Sequence, residues 1–126
     1  MRVFVISLVL LIIMGSFIAI HAYVMQHMTG EISDKCEGID ELAHAGQWDE
    51  ILDRLDDVRN IWEDHRMWAS LTISTKEIEQ IEISLKQSTE YAKLGEKSDF
   101  MGEYIMFSML VDHIPHQEGF HIEEIL

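Results

Sequence analysis

Apolar residues fill the start of the chain without interruption by charge, because the segment Val3–Ile20 contains no Asp, Glu, Lys or Arg. At a rise of about 1.5 Å per residue this segment forms roughly 27 Å of helix, close to the ~30 Å hydrocarbon core of a bilayer. Extension to Met25 brings Tyr23 to headgroup depth, where aromatic rings are enriched. The pattern predicts a transmembrane helix, with Val3–Ile20 in contact with the lipid bilayer.

Beyond this segment, apolar residues recur every three or four positions, the spacing of one helix face. Thr29-Gly30 predicts a break, after which Glu31 starts a helix that ends at Gly46. A second and longer helix starts at Trp48. The predicted core positions of these two helices are Ile32, Cys36, Ile39, Leu42, Ala43, Trp48, Ile51, Leu55, Val58 and Trp62.

Two further helices follow. Ser74, with Glu77 three residues later, has the spacing of a capping box, and Gly95 is the expected stop of that helix. Ser98-Asp99 can cap a fourth helix, which Pro115 is expected to end. Their predicted core positions are Ile78, Ile81, Leu85, Ser88, Ala92, Phe100, Tyr104, Phe107, Val111 and Ile114.

The fourth helix contains an almost wholly apolar run, residues 104–111, which predicts a well-buried helix. Residues 116–126 are expected to pack back on the bundle. Short connections place neighbouring helices antiparallel. The sequence therefore predicts an all-α protein, an N-terminal transmembrane helix followed by a small antiparallel bundle of about four helices. Residues 1–28 form the anchor and juxtamembrane segment, and residues 29–126 form an acidic helical domain.

Charge is distributed unevenly along the chain. All 23 acidic residues lie at or after Glu31, and Arg2 is the only basic residue before Lys35. The part that follows the apolar segment carries a formal charge of −15, against −14 for the whole chain. Such a surface repels nucleic acid and anionic headgroups, so no nucleic-acid partner is expected. Positive residues flanking a span favour the cytoplasmic side, which predicts a cytoplasmic N-terminus and an extracytoplasmic domain at the cell membrane.

The same N-terminal segment also resembles an export signal. Signal peptides usually have a shorter apolar region and a cleavage site with small residues. Here the nearest candidate site is Ile20-His21-Ala22, in which isoleucine occupies a position where a small residue is usual. An uncleaved anchor is therefore preferred, and cleavage after Ala22 to release a secreted helical factor is the alternative.

Metal binding is the sharpest chemical hypothesis. Glu41 and His44 have the Glu-x-x-His spacing that di-metal helical bundles use. The second group of candidates is His113, His116, Glu118 and His121. Such sites need further glutamates projecting inward, and none interrupts the predicted core faces of the second and third helices. The preferred assignment is therefore no metal, no cofactor and no catalytic residue, with a metal-binding bundle kept as the alternative.

Three other features of the sequence suggest packing rather than chemistry. Cys36 is the single cysteine, so it can form a disulfide only between chains, and on an apolar helix face it is expected to be a buried thiol. His65 lies on the core face of the second helix, where a partly buried histidine is expected. The three tryptophans stand at helical spacing and are assigned to the core. Nucleophilic triads, glycine-rich phosphate loops and paired zinc cysteines do not occur.

Several of these features together resemble a family of short bacterial proteins, domain-of-unknown-function family 4363. They are the N-terminal apolar segment; residues 45–48, Ala-Gly-Gln-Trp, at the start of a long helix; Trp62, His65 and Trp68; residues 77–82, Glu-Ile-Glu-Gln-Ile-Glu; and the C-terminal Glu-Ile-Leu. A histidine expected near Ser74-Thr75 is missing. The resemblance implies an anchor followed by helices, and it implies no activity and no catalytic residue.

The function predicted from the sequence is that of a non-enzymatic single-pass membrane protein. Its helical domain is expected to act through a membrane-protein partner or through self-association.

Overall fold

The described part of the chain forms five helices. The computed structural model describes the backbone of residues 1–125 and the side chains of residues 1–114. The helices are α1 (Arg2–Cys36), α2 (Ile39–His44), α3 (Trp48–Ser70), α4 (Thr75–Leu94) and α5 (Lys97–Ile125). No strand occurs in the described backbone. The predicted all-α class, with a long apolar helix at the N-terminus, is confirmed.

Helix α1 continues through the position where the sequence predicted a break. Thr29-Gly30 lies within a single helix of 35 residues, so the predicted break is wrong. A glycine inside a helix costs only about 1 kcal/mol relative to alanine. The neighbouring Met28 and Ile32 are buried in the core, and their burial outweighs that cost.

Helix α1 ends instead at Cys36, and Gly38, which the sequence interpretation missed, separates α1 from α2. Its φ of +79° lies in the left-handed region that glycine adopts without strain. Two other helix ends follow the prediction. The Ser74 side chain accepts a hydrogen bond from the Glu77 backbone N–H at 3.2 Å, and Gly95 has a φ of +68° at the end of α4.

Contacts between α1 and α3 pair residues in opposite order along the two helices. Near the middle of α1, His21 contacts Trp68 at the end of α3. Near the end of α1, the Lys35 ammonium lies 3.4 Å from the carboxylate of Asp57, eleven residues earlier in α3. This order fits antiparallel neighbours, so the second half of α1 is one of the helices of the bundle.

The contacts between α4 and α5 also pair residues in opposite order along the two helices. Glu77 and Gln80 at the start of α4 line the same surface pocket as Leu110 and His113 late in α5.

The backbone of α5 continues past Pro115 to Ile125, so the prediction that this proline ends the helix is wrong. Proline fits the helical φ and removes one hydrogen bond, which weakens a helix without always terminating it. The predicted packing of residues 116–126 concerns side chains outside the described part of the chain.

The core runs through the bundle from α1 to α5 and follows the predicted faces. Its fully buried side chains include Met25, Met28, Ile32, Ile39, Ile51, Leu55, Val58, Trp62, Ile81, Phe100 and Phe107. Trp62, in α3, is among the largest of them. Two of these residues, Met25 and Met28, belong to the part of the chain that the sequence assigned to the anchor. The division at residues 28 and 29 stays a prediction, whereas packing of α1 on the bundle begins at His21.

Candidate functional site

A sharp boundary divides α1 into two parts. Every residue from 1 to 20 is exposed, and His21 is the first buried one. The exposed part contains the apolar segment whose length and composition suffice to cross a membrane, and none of that segment is buried by the rest of the described chain. It is therefore not a core helix of the bundle.

Aromatic residues join the two parts of α1 to the end of α3. The His21 Nε2 lies 2.7 Å from the backbone carbonyl oxygen of Trp68, and the two rings are 5.9 Å apart. One turn earlier, the ring of Phe17 stacks on the same indole at a centroid distance of 6.0 Å. Trp68 thus contacts residues on both sides of the boundary. The sequence interpretation missed His21 because it counted this residue as a continuation of the apolar segment.

The outer face of α5 is a second exposed surface. Ile105, Met106 and Met109 are 51%, 55% and 66% exposed, so the prediction of a well-buried helix over residues 104–111 is only half right. The opposite face packs on α4, α1 and α2 through residues such as Phe107 and Val111. Among the described residues nothing covers the three exposed side chains. We call Ile105, Met106 and Met109 the outer α5 face.

The Cys36 thiol lies at the junction of α1, α2 and α5. It is half-buried, and the hydroxyl of Tyr104 donates a hydrogen bond to the Cys36 carbonyl oxygen at 3.1 Å. Burial raises the pKa of the Cys36 thiol above its ordinary value. Burial also raises the pKa of the Tyr104 phenol, so the hydroxyl stays protonated and remains a donor at physiological pH. The surroundings keep the thiol neutral, which fits the packing role expected from the sequence.

We expect iodoacetamide to alkylate Cys36 several-fold more slowly at pH 8 than it alkylates an exposed thiol. The thiolate is the reactive form, and a raised pKa delays its appearance to higher pH. Mass spectrometry measures the alkylation rate at several pH values between about 7 and 10, a range that brackets the ordinary pKa of a thiol. The reference is Leu94→Cys in a Cys36→Ala background. Equal rates at every pH would contradict a shielded thiol, and denaturant should remove the difference.

The metal candidates are only partly within the described side chains. Glu41 and His44 are exposed on the short helix α2, and His113 is exposed beside Glu77 and Gln80 of α4. Within the described part of the chain, no three His, Cys, Asp or Glu side chains gather as metal ligands would. The other candidates, His116, Glu118 and His121, lie outside the described side chains. The metal hypothesis therefore stays a prediction.

The remaining residues that the sequence analysis discussed have packing roles. His65 is half-buried, as predicted, and its Nδ1 lies 2.8 Å from the Ile61 carbonyl oxygen. Trp62 is fully buried, and Trp48 packs edge-on against Phe100 at 5.5 Å. Trp68 differs from the other two because it lies at the boundary described above, beside the exposed apolar part of α1.

A family model described as Domain of unknown function (DUF4363) matches residues 19–125 of the chain. The chain belongs to this family. The DUF4363 match starts two residues before His21, so it covers the bundle and leaves out nearly all of the exposed apolar segment. It gives no activity, and it does not bear on the membrane anchor. No curated protein and no solved structure matches the chain.

Proposed function

We propose that this chain is a non-enzymatic, single-pass membrane protein of the cell membrane that binds a second protein through its helical domain. Its N-terminus lies in the cytoplasm and its acidic domain lies outside. The partner is another membrane protein or a second copy of the chain. The observation that carries the proposal is the outer α5 face, and the anchor and the charge distribution support it.

The exposure of the apolar part of α1 supports the anchor. In water, the exposed apolar surface of Val3–Ile20 would cost a free energy of about 25 cal/mol for each Å². A bilayer removes that cost. The bond between His21 and the Trp68 carbonyl favours an uncleaved chain, because cleavage after Ala22 would remove the histidine from a helix that is continuous to Cys36. The secreted factor is therefore the less favoured alternative.

The position of the outer α5 face supports a protein partner. Ile105, Met106 and Met109 form one patch on the side of α5 that points away from the core, where a helix of a water-soluble bundle normally carries polar residues. Gly102, one turn earlier, has nothing within 4 Å of its Cβ position, so a partner helix can approach the backbone there. Methionine side chains adapt to different apolar surfaces. An exposed apolar patch of this kind is typical of protein interaction sites.

The test is site-specific photo-cross-linking of the full-length chain in native membranes. A benzophenone side chain placed at Met109 should give a discrete cross-linked product, at twice the mass of the chain for self-association or at another defined mass for a different partner. The matched control is Ile83, an apolar residue of α4 that is 54% exposed. It should give no discrete product, because it stands alone among polar neighbours.

A product of equal yield at Met109 and Ile83, or no product at either position, would refute binding through the outer α5 face. A second variant, Met109→Glu, should abolish the product formed by a photo-cross-linker at Met106. The reason is that a buried carboxylate without a partner costs several kcal/mol at an apolar interface. The α-helical content of Met109→Glu should not change, since the residue is outside the core.

A further inference from the structure

One stretch of the acidic domain contains no acidic residue. Between Asp64 and Glu77 there are twelve residues without Asp or Glu, the longest such interval after Glu31 in a region that holds all 23 acids of the chain. The interval holds two cations, Arg66 and Lys76. We call residues 65–76 the acid-free turn, because they include the end of α3, the connection to α4 and the first residues of α4.

The structure holds the acid-free turn at the boundary of α1. Trp68 contacts Phe17 on the apolar side of the boundary and His21 on the bundle side. These two α1 residues are four apart, which is about 6 Å along the helix axis. The headgroup layer of a bilayer is of similar thickness, roughly 5–7 Å on each side of the hydrocarbon core. With Val3–Ile20 in the hydrocarbon, the indole of Trp68 is at headgroup depth.

The turn also exposes large apolar side chains. Met67 is 80% exposed and Leu71 is 56% exposed, and the two share one face because they are four residues apart. Met67 precedes Trp68 in the last turn of α3, and Leu71 directly follows the end of that helix. Such a group would be unfavourable in water, whereas apolar and aromatic side chains beside basic ones are the composition of segments that lie in a membrane interface.

The charges around these side chains are compatible with lipid. Lys76 is exposed on the first turn of α4, where its ammonium can reach lipid phosphates. Arg66 pairs with Glu82, its Nε donating to the carboxylate at 3.1 Å, so the charge of this acid is neutralised. Residues 65–76 themselves therefore repel anionic headgroups less than the rest of the domain does, with Asp64 and Glu77 at their borders.

We infer that the acid-free turn is a second membrane contact, in which Met67, Trp68 and Leu71 lie in the headgroup layer of the bilayer that α1 spans. The inference rests on the proposed membrane anchor. The continuity of α1 through its boundary, together with the stacking of Phe17 on Trp68, fixes the lipid interface as the occupant of this surface. The bundle is thus attached to the membrane at two points, by its anchor helix and by the turn between α3 and α4.

The test measures the depth of single labelled positions in the full-length chain. In a Cys36→Ala background, Leu71→Cys carries an environment-sensitive nitrobenzoxadiazole label, and the protein is reconstituted in phosphatidylcholine vesicles with or without spin-labelled phosphatidylcholine. Quenching at position 71 should be several-fold greater than at the control Leu94→Cys. Leu94 is 69% exposed, also apolar, and lies at the end of α4 remote from the turn.

A third position separates the inference from the anchor on which it rests. Ile12→Cys, in the middle of the apolar segment, should be quenched by phosphatidylcholine spin-labelled on its acyl chain, whereas position 71 is tested with phosphatidylcholine spin-labelled near its headgroup. If Ile12→Cys is quenched and Leu71→Cys behaves like Leu94→Cys, the second contact is refuted and the anchor stands. If Ile12→Cys is not quenched, both are refuted. A blue-shifted but unquenched label at position 71 would indicate a protein partner at the turn and would likewise overturn the lipid contact.

A measurement without a label covers the case in which the fluorophore disturbs the turn. In a chain with Trp48→Phe and Trp62→Phe, the emission of Trp68 alone should be quenched by brominated phosphatidylcholine. No quenching of Trp68 in a folded chain would refute the contact.

Discussion

A chain shortened to begin at His21 should fold and melt cooperatively, whereas a chain that begins at Thr29 should lose most of that stability. The shorter chain lacks Met25 and Met28, which are fully buried in the core. Loss of a buried methionine side chain typically costs about 2–5 kcal/mol, and the whole stability of a small domain is about 5–15 kcal/mol. The difference is measured by thermal denaturation, followed by circular dichroism at the helical minimum of roughly 222 nm.

Two further fragments frame this experiment. A chain that begins at Glu37 also lacks Ile32 and should show no cooperative transition. The full-length chain in detergent should melt close to the fragment that begins at His21, because residues 1–20 contribute no buried side chain. Equal stability of the fragments that begin at His21 and Thr29 would show that α1 is not a structural part of the bundle.

Trp62→Ala should destabilise the protein more than a substitution elsewhere in α3. Trp62 is among the largest fully buried side chains, and truncation of a buried tryptophan to alanine typically costs about 3–5 kcal/mol through lost burial and a residual cavity. For a domain of this size the melting temperature should fall by more than about 12 °C. Chemical denaturation of the fragment that begins at His21 gives the free energy of unfolding directly.

Trp62→Phe is the matched control. Among the described side chains, the indole Nε1 of Trp62 has no hydrogen-bond partner, so its removal breaks no bond. Phenylalanine keeps most of the apolar ring, and we expect a loss below about 1.5 kcal/mol. A loss as large as that of Trp62→Ala would mean that the indole N–H makes an interaction that the geometry does not account for.

The parts of the fold that could be predicted from the sequence are those governed by local chemistry. Ser74 caps α4 because its side chain is the acceptor nearest to the free N–H groups of the first turn, and Gly95 ends the helix because the backbone there is left-handed. The core positions of α3 follow from helical spacing. Ile51, Leu55 and Val58 all lie where that spacing placed them.

The parts that could not be predicted depend on what the helices contact. Gly30 looked like a break because glycine is a poor helix former, but the contacts of Met28 and Ile32 across the bundle hold the helix together there. The exposure of Met109 could not be foreseen for a similar reason. Spacing gives the inner face of α5, whereas an apolar residue on the other face is exposed or covered according to whether another element lies there.

The candidate surfaces were the least accessible to sequence reasoning. His21 and Trp68 are 47 positions apart in the chain, and only the pairing of α1 with α3 brings them together. One signal was nevertheless present. The absence of acidic residues from positions 65–76 is visible in the sequence, and it becomes meaningful once the structure places these residues at the boundary of α1.

Because α1 is a single unbroken helix, its apolar segment and the bundle move together. No hinge separates the apolar segment from the part of α1 that packs in the bundle, so a rotation of one is a rotation of the other. Transmembrane helices tilt by about 20° on average, and a tilt of that size would swing the far end of a bundle as long as the 23-residue α3 by roughly 12 Å. That displacement is parallel to the membrane, because the same tilt changes the height of the far end by only roughly 2 Å. A change of tilt would therefore move the outer α5 face sideways, at a nearly constant distance from the bilayer.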